Sequence, residues 1–174
     1  MDNTSDMKTP YEIRPEGTTT ILSELAMQHM QSTSSYRDIS KALKKDDDTA
    51  SDYFLSLADY HDGMLQELNQ VIGDMPGGAN TPSESGQADI REHEKEVNRA
   101  LQSKNVVELA ELAHENEQKL SRTYEKALAN SKLIDFVGDL LHKQHEKILI
   151  WVNRADRYKT VPQEFNHHYD EDNE

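Results

Sequence analysis

Residues 105–128 read NVVELAELAHENEQKLSRTYEKAL, and within them Val106, Ala110, Ala113, Glu117, Leu120, Tyr124 and Ala127 recur three or four positions apart. That spacing puts all seven on one face of an α-helix, with the charged residues on the other faces. Glu117 is the one charged residue on the apolar face, so the same pattern that defines the helix also singles out a carboxylate aimed at a core. Asn105 followed by Glu108 has the spacing of an N-terminal capping box, with Asn in place of Ser or Thr.

Downstream, Asn130 and Ser131 supply residues suited to a C-cap and an N-cap. A very short turn is expected there, followed by a helix carrying Ile134, Val137, Leu141, His145, Ile148 and Val152, with Trp151 beside the stripe. Upstream, Leu22, Leu25, His29, Ser32, Tyr36, Ile39 and Leu43 form one helical stripe, and Phe54, Leu57, His61, Met64, Leu68 and Val71 form another. Between them Lys44 and Lys45 precede Asp46, Asp47 and Asp48, an order that suits the carboxyl end of one helix and the amino end of the next. The breakers Gly73, Pro76, Gly77, Gly78 and Pro82 then open a long connection. Residues 86–102 are helix-compatible, with Ile90, Val97 and Leu101 on one side of a dense polar face, and are expected to form an exposed connecting helix.

Two short-turn hairpins joined by one long crossover define an all-α, antiparallel four-helix bundle of ferritin-like topology, with an extra helix in the crossover. The bundle is expected over residues 18–158. Residues 1–17 form a polar, disordered arm, and residues 159–174, which carry Glu164, Asp170, Glu171, Asp172 and Glu174, form an acidic, disordered tail.

Composition limits the functions available. Hydrophobic residues make up 34% of the chain and charged residues 30%, so buried surface must be gathered into narrow stripes. The formal net charge is −14 with no basic block, which disfavours nucleic acid and anionic membrane as partners. Neither a signal peptide nor an 18-residue apolar stretch is present, so the cytoplasm is the expected location. The absence of cysteine rules out disulfides and thiolate ligands. No Gly-rich phosphate loop and no Ser-His-Asp arrangement is visible, so no catalytic residue is assigned. A protein partner or self-association stays open.

The segments Tyr36-Arg37-Asp38, Gln66-Glu67-Leu68, Asn116-Glu117, Tyr124-Glu125-Lys126-Ala127-Leu128 and His145-Glu146-Lys147-Ile148 make residues 21–157 resemble a bacterial family of unknown function in the ferritin-like superfamily. The resemblance implies a bundle-core site for iron or manganese, built from one Glu on each of two helices and Glu-x-x-His on each of the other two, and by analogy a stress-related role. This chain departs from that set. Ala58 stands three before His61, His142 stands three before His145, and Thr33 occupies the first helix's place for a glutamate. The Glu-x-x-His of Glu111 and His114 points about 120° away from Glu117. A di-metal oxidase is therefore the least favoured reading.

What the chain offers instead is His29, His61, Glu117 and His145, one on each stripe. His29 and His61 are each 16 residues from Lys45, about 24 Å along their helices, and should face each other. Glu117 and His145 are each 14 residues from Ser131, about 21 Å along theirs, and should do the same. Three imidazoles and a carboxylate in one layer suit zinc, or iron or manganese with added waters. They equally suit a metal-free network that fixes helix register. The pairs His142 with His145 and His167 with His168 are weaker candidates, and Tyr36 and Tyr124 are expected to fill the core with their hydroxyls partnered.

Overall fold

A computed structural model describes residues 17–75, 84–130 and 133–160. Five α-helices account for nearly all of them: α1 (Thr18–Leu43), α2 (Asp48–Asp74), α3 (Glu84–Ser103), α4 (Val106–Leu128) and α5 (Asp135–Thr160). Among the described residues there is no strand, and no helix is long and apolar enough to cross a membrane. The expected arm and nearly all of the expected tail lie outside the described residues. Helix α5 itself runs to Thr160, two residues past the expected end of the domain.

The turn between α1 and α2 follows from its sequence. Leu43 O accepts from the backbone N–H of both Asp46 and Asp47, which closes the last turn of α1. The Asp47 carboxylate then accepts from Ala50 N at 2.9 Å and caps α2. Lys44 pairs with Asp48 and Asp52 across the same turn. At α4, Asn105 Oδ1 accepts from Val107 N and Glu108 N, as a cap should. Glu108 does not complete a capping box with Asn105; its carboxylate takes Arg99 of α3 at 3.2 Å.

Two sequence expectations are corrected. The turn into the last helix is longer than two residues: α4 closes at Leu128 and α5 opens at Asp135, with Ile134 O accepting from Gly138 N as its first helical bond. Ser131 lies outside the described residues, so the Ile134 position starts the helix. Helix α3, expected as an exposed connector, packs against α1 and α4 and buries His93, Val97 and Ala100 on one face. Those residues are spaced four and three apart, a stripe that the dense charge of the other faces disguises.

The apolar core comes in two clusters. One gathers Leu22 and Leu25 of α1, Met64 and Leu68 of α2, Leu120 of α4, and Val137, Leu141 and Ile148 of α5. The other gathers Ile39 and Leu43, Phe54 and Leu57, Leu109 and Ala113, together with Val97 and Ala100 of α3. On α1, α2 and α4 the sequence changes from one cluster to the other across His29, His61 and Glu117 respectively. A polar layer therefore divides the core.

Candidate functional site

Three of the residues singled out from sequence meet in that layer. His29 and His61 are wholly buried, and their Nδ1 atoms are 2.9 Å apart. His61 Nε2 lies 2.8 Å from Glu117 Oε1, and Glu117 is 1% exposed. The first-hairpin estimate is thus met at the level of a direct contact. His145 stands elsewhere. It is half-buried, bonded to Ser121 Oγ at 2.8 Å, with its ring parallel to that of Tyr124 at 6.1 Å between centroids. The displacement has a simple origin. The Ser121–His145 contact centres the second hairpin near Leu133, two residues beyond Ser131, and in an antiparallel pair this moves the residue opposite Glu117 by four positions, about 6 Å.

The place expected for His145 is filled by residues that the sequence reading did not single out. Gln144, wholly buried on α5, accepts from Tyr124 Oη at 2.6 Å, and its amide nitrogen donates to Glu67 Oε2 at 2.8 Å and to Met64 O at 3.2 Å. Asn116 of α4 donates to both Ser32 Oγ and Tyr36 Oη at 2.9 Å, and Tyr36 donates to Glu117 Oε1 at 2.7 Å. The result is one continuous chain: Gln144, Tyr124, His29, His61, Glu117, Tyr36, Asn116, drawn from α1, α2, α4 and α5. Asn116 was quoted only for the family resemblance. Gln144 could have been found as a polar residue at a permitted stripe position, three after Leu141 and four before Ile148.

The direction of this chain is fixed from the Gln144 end. Carbonyl and carboxylate oxygens accept, so the amide nitrogen faces Met64 O and Glu67, and the amide oxygen faces Tyr124. Tyr124 spends its proton on Gln144, so its oxygen accepts from His29 Nε2–H at 2.6 Å. Burial, and then the proximity of His61, hold His29 well below the ordinary histidine range, so the ring is neutral and its Nδ1 is bare. That nitrogen must accept from His61 Nδ1–H. One proton then remains to be shared between His61 Nε2 and Glu117 Oε1, either as an ion pair or as a neutral imidazole and carboxylic acid. Both phenols stay protonated. Burial and then the Glu117 charge push Tyr36 up, and burial and then Tyr60 push Tyr124 up.

Metal chemistry is poorly served by this arrangement. His61 uses opposite edges of its ring, Nδ1 for His29 and Nε2 for Glu117, so the three donors share no common point. Among the described residues no group of three or more His, Asp or Glu side chains is disposed to hold a metal ion. The donor set does not fit zinc, iron or manganese without turning the His61 ring. His142 is exposed on the outer face of α5. His167 and His168 lie outside the described residues. Glu117 Oε2 is buried with no hydrogen-bond partner, because both donors that reach this carboxylate converge on Oε1.

Comparison with protein-family models, with curated proteins and with solved structures finds no match to this chain.

Proposed function

We propose that this chain is a ferritin-like four-helix bundle protein in which a proton-sharing network of His29, His61, Glu117, Tyr36 and Tyr124 takes the place of a catalytic metal centre. The hairpin α1–α2, the hairpin α4–α5 and the long crossover holding α3 support the topology. The observation that carries the functional reading is the use of both His61 ring nitrogens in opposite directions. A layer so completely satisfied stabilises one helix register and disfavours others, because any slip would leave buried polar groups unpaired. The protein then serves as a non-catalytic scaffold.

Elemental analysis of untagged protein, with melting curves in added zinc, manganese or ferrous iron, tests this. No stoichiometric metal and an unchanged Tm are expected. A tight site would add about 2.7 kcal/mol at a hundredfold excess over Kd. Stoichiometric metal, with a Tm rise that disappears in His61→Ala, would overturn the proposal.

A further inference from the structure

The chain has seven tyrosines and one tryptophan, and the aromatic rings near the central layer are not scattered. Trp151 on α5 is partly exposed, whereas Tyr36 is wholly buried. Two routes of touching rings join them. One runs from Trp151 to Tyr60 at 5.5 Å between centroids, to His61 at 6.0 Å and to Tyr36 at 5.4 Å. The other runs from Trp151 to Tyr53 at 5.9 Å, to Phe54 at 5.2 Å and to Tyr36 at 6.2 Å. Both begin at the same indole and end at the same phenol.

The two ends differ in chemistry. At Trp151 the Arg154 guanidinium lies 5.1 Å from the ring centroid, so a positive hole left on the indole is repelled. At Tyr36 the hydroxyl donates to the Glu117 carboxyl oxygen at 2.7 Å, so a proton acceptor stands ready when the phenol loses an electron. Tyr124 lacks this. Its hydroxyl donates to the Gln144 amide oxygen, a poor base, and accepts from His29.

We infer that Tyr36 is a one-electron oxidation site, reached from the surface through Trp151, at which an outer-sphere one-electron oxidant generates a buried neutral phenoxyl radical. In the balanced step an electron passes from Tyr36 through Trp151 to the oxidant, which is reduced. The phenolic O–H bond breaks, and its proton passes to Glu117 Oε1. The core gains one positive charge, shared along the His61–His29 pair. The chain's net charge of −14, with Glu67 at the Gln144 end of the network, offsets it. No metal takes part, so the step can fail or succeed independently of the metal-free reading of the bundle.

The test uses the full chain, treated with chelator and photo-oxidised by flash-generated tris-bipyridine ruthenium(III), with radicals identified by freeze-quench electron paramagnetic resonance. A tyrosyl radical that outlives those on exposed tyrosines is expected in the parent protein. It is lost in Tyr36→Phe, formed more slowly in Trp151→Phe, reduced in yield in Glu117→Gln, and retained in Tyr124→Phe. If Tyr36→Phe fails to fold, fluorotyrosine placed at position 36 must alter the hyperfine pattern of the long-lived radical. The same long-lived signal in folded Tyr36→Phe, an unaltered pattern with the fluorinated residue, or a hole that stays on Trp151 overturns the inference.

Discussion

Replacing His61 by alanine is expected to lower the unfolding free energy by about 3–5 kcal/mol, measured by urea denaturation at unchanged m-value. Both ring nitrogens of His61 are in use, so its removal strands His29 Nδ1 and Glu117 Oε1 together and opens a cavity between Ala58 and Met64. Burying an unpaired carboxylate is the dominant loss. Glu117→Gln should cost less, about 1–3 kcal/mol, because its amide can donate to a neutral His61 Nε2. The two changes should also fail to add, since the second removes a partner already lost. A loss below about 1 kcal/mol in His61→Ala would mean that the layer contributes little to holding the helices.

Acid should destabilise the fold well above the pH at which carboxylates titrate. His29 is held well below the ordinary histidine value of 6.5, chiefly by burial, so the unfolded chain takes up a proton there before the folded one does. A group whose folded value is depressed contributes its full stability above the unfolded value and loses it as pH falls below that. For His29 the loss begins near pH 6.5 and proceeds at about 1.4 kcal/mol per pH unit until the folded ring itself protonates. His93, depressed first by burial and then by Lys119, adds in the same direction. His29→Gln keeps one donor and one acceptor and removes the titration. The slope of stability between pH 6.5 and 5 should therefore fall by the share of one proton in that variant, and by a second in His29→Gln with His93→Gln. An unchanged slope in His29→Gln would show that the ring is already charged in the folded state.

The first hairpin was legible because its turn carries its own chemistry. Lysines followed by three aspartates mark both helix ends, and counting outward from them brings His29 opposite His61. The second was misread for an equally local reason. Asn130 and Ser131 have the side chains of caps, yet α5 starts at Asp135 with no capping side chain before it, and a shift of two residues at the turn became four at the level of Glu117. A spacing of three or four also leaves two choices at each step. After Leu141 it permits Gln144 or His145, and the preference for a histidine as a ligand chose the one that faces Ser121. The buried face of α3 was hidden by the charges around it, although His93, Val97 and Ala100 follow the same spacing as the other stripes.

The most direct test of the central network is nitrogen-15 NMR of the histidine rings in the full chain at pH 7.5, which reads which nitrogen of each carries a proton. The network predicts a neutral His29 with its proton on Nε2 and a bare Nδ1, and a His61 whose Nδ1 carries the proton shared toward it. A proton on His29 Nδ1, or a bare Nδ1 on His61, would contradict it.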